Sequence, residues 1–332
     1  MTEHPLDSPV KKPWSTVTIV PVGEMKHEIA RATMAITADA ALSPMEFVHQ
    51  ARQAANRLPA ALREIAEEFI SFGDGGLVFT GVLIGPAPPT PESATNDITH
   101  KTLLAKELAV VLSMICYLAG FRGELGGALL QSLLPIKEDR NEQTSTGSHK
   151  ELLAHTEQAF SNFRPDYLGL ACFRGDPHAI TYLLSARTLV RRLPGRTLEL
   201  LRDKMFFTGV DTSFIRGGAS GEDRGPMAVL GGPLGDPVLR YDGELMYSPS
   251  REHQLALEMV NAVYLEYRSG VTLQTGDLML IDNSRAIHGR SPFHPLWDRG
   301  DRYLVRAQGH ANPASTRRVR LDGSPVIEIA GS

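Results

Sequence analysis

The texture of the chain changes at Gly126, and that change limits the folds open to it. From there on the sequence breaks into short apolar runs, ALLQSLLP, DYLGLACF, AITYLLSA, MAVLGG, VTLQ and DLMLID, separated by Gly, Pro and Asp. Apolar runs of about four to eight residues with such punctuation predict strands rather than helices. Two helical interruptions stand out, RTLELLRDKMF and REHQLALEMVNAVYLEYRS; in the second, Leu255, Met259, Val263 and Tyr267 recur every four residues.

Before Gly126 helical signals dominate. In LSPMEF, Ser43 stands where an N-cap is needed, Pro44 suits the first helical position, and Glu46 completes the pattern of a capping box. That helix is expected to run to about Leu58; Pro59 restarts it, and Leu62, Ile65, Ala66, Phe69 and Ile70 form one apolar stripe. FGDGGLVFTGVLIG reads as a turn and a strand, GPAPPTPES as a proline-rich loop, and the stretch from about Lys101 to Ala119 as a buried helix. Residues 1–15, with Pro5, Pro9 and Pro13, read as a loose arm. The predicted fold is mainly β with flanking helices (α+β). It is a single domain over residues 16–332, with a helical part to about 122 and a jelly-roll core over about 123–310. A split into two domains near Pro91 is the alternative, but neither piece carries a separate functional signature.

Composition narrows the partners. Among 332 residues, 34 Lys and Arg stand against 38 Asp and Glu, a net charge of -4, so no cationic excess is available to displace counterions from a nucleic acid. MTEHPLDSPVKKPWS contains no apolar segment of the signal-peptide kind, and the longest apolar run, Leu108 to Phe121, is about a third too short to span a bilayer. The expectation is a cytoplasmic protein without a membrane partner. Cys116 and Cys172 both lie in apolar runs and read as reduced core residues.

One short segment carries chemistry. In ELLAHTEQAF, His155 and Glu157 are two residues apart after an apolar run. On an extended chain such residues share a face, whereas on a helix they diverge by about 200°, so the pair can reach one ion only from an extended segment. Alone, the pattern is weak evidence for a metal and reads more readily as a hydrogen-bonded surface pair. DLMLIDNSRAIHGRSPFHPLWDRGDRYLVR then places His288 just beyond a buried strand. Two imidazoles and one carboxylate are the facial triad of a non-haem Fe(II) oxygenase, which leaves positions for a bidentate 2-oxo acid and for O₂. Arg302 and Arg306 follow, four apart and therefore on one face of a strand, where a forked guanidinium can neutralise a buried carboxylate.

HTEQAF, RPDYLGLACFRGDP, GDLMLIDN and HGRSPFHPLWDRGDRYLVR, with GGALLQSLLP before them, resemble motifs of the clavaminate synthase-like Fe(II)/2-oxoglutarate-dependent oxygenases, within the taurine dioxygenase-like superfamily. The resemblance covers about Gly123 to Arg306. Within the group HTEQAFSNFRPDYLGLACFRGDPHAITYLLSARTLV is most similar to hydroxylases of free L-lysine, with those of L-arginine next.

The resemblance implies a cofactor, Fe(II), held by His155, Glu157 and His288, and a cosubstrate, 2-oxoglutarate, whose far carboxylate meets Arg302 with help from Thr181. It also implies that Arg306 takes the α-carboxylate of an amino-acid substrate, Gln131 and Glu124 its α-amino end, and Asp242 the side-chain head group. Glu244, two residues on, offers a second acceptor. Asp242 reads equally as a turn residue in Tyr-Asp-Gly. Because Glu157 is a carboxylate, the open halide position of related halogenases is absent.

The expected function is hydroxylation of a free basic L-amino acid, L-lysine at C3 first and C4 next, with O₂ consumed and succinate and CO₂ released. An arginine hydroxylase, a multi-step oxidase resembling clavaminate synthase, and a non-catalytic jelly-roll module that binds a metal and a ligand are the alternatives. Phe214 to Pro226 reads as a lid or as an inert loop, and His294 and His310 as surface or packing residues. AQGHANPASTRRVR, after RYLVR, lacks the usual apolar strand continuation, so a different C-terminal edge is expected there. The oligomeric state is left open, a homo-oligomer included.

Overall fold

The structure is a computed structural model that describes residues 14–82, 85–94 and 99–328. The predicted N-terminal arm lies, for residues 1–13, outside the described residues.

The chain opens with strand β1 (Val17–Pro21), helices α1 (Lys26–Met34), α2 (Pro44–Ala55) and α3 (Ala60–Phe72), strand β2 (Gly76–Thr80) and helix α4 (Leu103–Leu112). Strands β3 (Tyr117–Phe121), β4 (Gln131–Leu133), β5 (Leu152–His155), β6 (Tyr167–Arg174) and β7 (Thr181–Ser185) follow, then α5 (Ala186–Arg192) and α6 (Gly195–Arg202). Next come β8 (Phe206–Thr208), α7 (Thr212–Arg216), β9 (Arg224–Met227), β10 (Leu230–Gly231), β11 (Val238–Leu239), β12 (Met246–Tyr247) and α8 (Arg251–Tyr267). The last strands are β13 (Ser269–Val271), β14 (Leu278–Asp282), β15 (Ala286–Arg290), β16 (Tyr303–His310) and β17 (Val326–Ile327).

Two sheets make the jelly-roll core. The larger has the order β1-β2-β14-β6-β16-β3-β17 with β4 paired to β16; the smaller runs β13-β7-β15-β5. Period-two alternation decides what each face meets. Along β14, Leu278 and Leu280 join the helices α1 to α4 in one apolar cluster, whereas Met279 and Ile281 meet Leu183 and Ala286 of the smaller sheet in another. Along β16, Tyr303, Val305 and Ala307 join the helical side and Leu304 the inter-sheet side. Arg306 has the parity of Leu304 and is therefore carried inward. A third cluster packs α5, α6 and α8 against Leu184 and Ile287 on the outer face of the smaller sheet. Gly169 lets α4 approach β6, since a Cβ there would lie 2.8 Å from Leu108 Cδ1.

Several expectations need correction. The buried helix stops at Leu112, not Ala119, because Arg52 donates to the carbonyls of Ser113 and Cys116 and the chain turns into β3, which pairs with β16. A continuous apolar run does not distinguish a buried helix from a buried strand. Ser43 is the N-cap of α2 but makes no side-chain cap, and Glu46 accepts from Gln50 instead. On α8, Leu255 and Met259 are 46% and 36% exposed, while His253, Leu257, Val260 and Tyr264 face the core. A strict four-residue step drifts around a helix of 3.6 residues per turn, so the row that starts exposed at Leu255 turns inward to Val263 and Tyr267, which pack against the core. β16 does not end at RYLVR; it continues buried through His310 and only then gives way to 3-10 turns. β1, a β-branched run (VTIVP) not anticipated as a strand, pairs in parallel with β2.

Glu107 on α4 is fully buried, and neither carboxylate oxygen has a hydrogen-bond partner among the described residues. Burial pushes its carboxyl up to about 8. A folded-state value above the unfolded one costs stability as pH rises from the ordinary carboxylate range through that value. Glu107→Gln should therefore change little at about pH 5 and stabilise the protein at about pH 9 by on the order of 3–5 kcal/mol, as read from denaturant melts. An equal effect at both pH values would show that Glu107 ionises normally.

Candidate active site

His155 ends β5 and His288 lies in β15, and the two strands pair so that these residues are register partners with ring centroids 4.4 Å apart. Glu157 lies two residues beyond the end of β5, at the start of a turn, and still converges: one ligand atom from each of the three lies within 4.8 Å of the others. His155 Nδ1 is 2.7 Å from the Leu153 carbonyl, which fixes the ring and leaves Nε2 as the outward nitrogen. His288 Nδ1 is buried with no hydrogen-bond partner among the described residues. Burial, then the nearby His155 and Arg306, hold the His288 ring well below the usual imidazole range, so it is neutral and able to ligate.

Arg306 is the hub of the buried polar layer. Nη1 donates to Glu157 Oε1 at 2.9 Å, Nη2 to Glu124 Oε1 and to Gln131 Oε1, both at 2.6 Å, and Nε to Gln131 Oε1 at 3.1 Å. Gln131 is its register partner on β4. Burial alone would lower the guanidinium, but Glu124 and Glu157 outweigh it and leave the group raised and cationic. Gln308, next inward on β16, bridges Gln158 and Glu124.

Arg302 differs. It is 7% exposed and lies against the Phe293 ring, yet among the described residues it has no hydrogen bond or ion pair. Burial brings it down to about 10, still cationic at neutral pH. Arg290 is buried near it but directs its donors to the carbonyls of Ser145, Gly147 and Ser291. Thr181 is buried on β7 opposite Arg290.

These groups line one cavity of about 320 Å³ together with Asp242, Glu244 and Asp211. Asp242 Oδ1 accepts from the amides of Glu244 and Leu245, so it is a turn residue and a cavity residue at once. Glu244 is exposed on the lining, its carboxyl raised by burial and then by Asp242. His310 is buried beside Asp166, and His294 is exposed against His149. Phe214 is buried between Phe121 and Phe160, with Thr212, Ser213 and Arg216 on the cavity wall and Arg224 onwards in β9.

Residues 122–308 match the family described as taurine catabolism dioxygenase TauD, TfdA. The chain belongs to the TauD/TfdA dioxygenase family. It is 37% identical over 306 residues to an L-lysine 3-hydroxylase of Catenulispora acidiphila, covering 90% of this chain and 85% of that one. To clavaminate synthase 2 of Streptomyces clavuligerus it is 31% identical over 270 residues, 78% of this chain and 82% of the other. The solved structure of an asparagine oxygenase in complex with Fe(II), 2S,3S-3-hydroxyasparagine and succinate superposes with a TM-score of 0.86 at 28% identity, over 95% of this chain and all of that one.

The residues of this TauD/TfdA member fit the groups such an oxygenase uses. A neutral imidazole with an orphaned nitrogen, a second imidazole and a carboxylate with one oxygen left over suit Fe(II), and an unpaired buried guanidinium suits the far carboxylate of a 2-oxo acid.

Two residues escaped the sequence reading. Asp211, the N-cap of α7, makes no cap hydrogen bond; burial, then Asp242, Glu157 and Glu124, raise its carboxyl far above the usual range. Nothing in VDTSF marks it. Asn283 holds the peptide of Glu157, accepting from its N–H at 2.7 Å and donating to its carbonyl at 3.1 Å.

A divalent metal held by this triad must stabilise the fold by mass action. Mn(II) or anaerobic Fe(II) at about a hundred times its Kd should add about 2.7 kcal/mol, or roughly 4 °C in Tm for a chain of this length. His155→Ala should lose that shift in a thermal melt. A shift retained by the variant would move the metal elsewhere.

Proposed function

We propose that this TauD/TfdA member is an Fe(II)/2-oxoglutarate-dependent hydroxylase of a free basic L-amino acid, L-lysine at C3 in the first place and C4 next. The observation that carries the reading is the charge pattern of one cavity. A buried guanidinium with carboxylate neighbours stands beside the triad, and further carboxylates, Asp242, Glu244 and Asp211, share the wall without an ion pair among the described residues. The likeness to an L-lysine 3-hydroxylase supports lysine.

In this reading His155, Glu157 and His288 hold the iron, and Arg302 with Thr181 holds the far carboxylate of 2-oxoglutarate. Bound together, iron and 2-oxoglutarate supply O₂-dependent oxidation that converts 2-oxoglutarate to succinate and CO₂ and puts one oxygen atom into a C–H bond of the substrate. Four of the five N–H donors of Arg306 are taken by Glu157, Glu124 and Gln131, which leaves one on Nη1 for the substrate α-carboxylate. Glu124 and Gln131 accept from the α-ammonium group. Asp242, with Glu244 and Asp211, receives the side-chain cation. Fixing both ends of the substrate presents one methylene to the metal, so the distance between the clamps sets the carbon attacked.

The same acidic wall accepts a guanidinium, which keeps L-arginine as the second substrate to test. Purified protein with Fe(II), ascorbate and 2-oxoglutarate is expected to convert L-lysine to a product about 16 Da heavier, one oxygen atom, with NMR giving the carbon. No succinate formation with either lysine or arginine rejects the proposal. Asp242→Asn should lower kcat/KM for lysine at least about tenfold, the loss of one charge-assisted bond of about 1.5–3 kcal/mol, while the metal-induced Tm shift stays. Unchanged lysine turnover would remove Asp242 from the clamp.

A further inference from the structure

Glu157 reaches the triad from an unusual backbone. Gln158, next in the chain, sits in the left-handed region at φ 54°, and such a position costs a non-glycine residue about 1–3 kcal/mol unless its surroundings enforce it. Outside a strand, Glu157 has no ladder to hold its peptide groups. One side chain does so instead. Asn283, fully buried, accepts from the Glu157 N–H at 2.7 Å and donates to the carbonyls of Glu157 at 3.1 Å and Pro165 at 2.8 Å. Its own N–H donates to the Asp166 carbonyl at 2.9 Å.

Asn283 also stands at a junction. It follows β14 directly and opens the turn into β15, where Asp282 Oδ1 accepts from the amides of Ser284 and Arg285. The turn that delivers His288 thus grips the turn that delivers Glu157, across 126 residues of sequence. The Glu157 side chain is held separately, through Oε1 and Arg306.

We propose that Asn283 is a positioning residue for the metal carboxylate: by clamping both peptide groups of Glu157 it sets the distance between Glu157 and His288 and so the affinity of the triad for its ion. The inference rests on the reading of His155, Glu157 and His288 as the metal ligands. Residues that orient metal ligands typically contribute about 10–100-fold in affinity.

The test compares wild type with Asn283→Asp, which keeps the acceptor for the Glu157 N–H and loses both donors, and with Asn283→Ala, which loses all three bonds. Anaerobic titration with Co(II), followed by its visible absorption, and with Mn(II), followed by EPR, gives the dissociation constants; melts of the metal-free proteins give their stability. The expected result is about 10–100-fold weaker binding in both variants with an altered Co(II) spectrum. A lower metal-free Tm with Co(II) affinity within about twofold of wild type would assign Asn283 to the fold alone and overturn the proposal. Failure of both variants to fold would overturn it in the same way. Wild-type protein that binds neither ion would instead overturn the ligand assignment, and this proposal with it.

Discussion

The alternation of side chains along β16 is the constraint on which the rest of the site depends. A central strand of the larger sheet sends Tyr303, Val305 and Ala307 to the helical side, so Leu304 and Arg306, with Gln308 beyond, must face the smaller sheet. A one-residue slip of register would exchange the two sets and bury the polar group among Leu and Phe side chains of the helical layer. Pairing of β16 on both sides, with β6 and with β3 and β4, prevents that slip. A buried guanidinium then requires counter-charges, and Glu124 and Glu157 supply them from segments that would otherwise have no reason to turn inward.

The two inward arginines are treated oppositely. Removing one member of a buried ion pair leaves an uncompensated charge worth about 3–5 kcal/mol, so Arg306, Glu124 and Glu157 hold each other in place, with Gln131 completing the donor pattern. Arg302 has no such partner among the described residues and is still buried. A cation left in that state is costly by itself and favourable once an anion enters, which is what the proposed contact with 2-oxoglutarate would supply. Arg290 marks the intermediate solution, its charge spread over loop carbonyls.

What the sequence disclosed follows the range over which each signal acts. His155 and Glu157 could be linked through two-residue spacing, and Arg302 and Arg306 through four, because both are properties of a local extended chain. The strands after Gly126 were legible for the same reason. The end of α4 was not, since Arg52 closes it from a helix far away in the chain, and neither was the buried face of α8, since the four-residue row from Leu255 to Tyr267 crosses from solvent to core along the helix. Asp211 was silent, and Asn283, though inside the motif GDLMLIDN, showed no role, because their meaning comes from residues far away in the chain. A polar residue in a loop has no periodicity to betray it, and its neighbours in space are not its neighbours in sequence.

The cavity also explains why its acids are tolerated. Asp211 lies near Asp242, Glu157 and Glu124, and burial together with their like charge favours its protonated state. A cationic side chain entering the wall reverses both terms at once: it replaces lost hydration with a charge-assisted hydrogen bond and offsets the repulsion among the carboxylates. A neutral side chain of similar size would do neither and would leave the acids desolvated. Discrimination of this kind comes from what the wrong ligand fails to satisfy, which is where a buried polar site separates substrates most strongly. In the proposed function, the same clustering of carboxylates is what would select a basic amino acid over an apolar one.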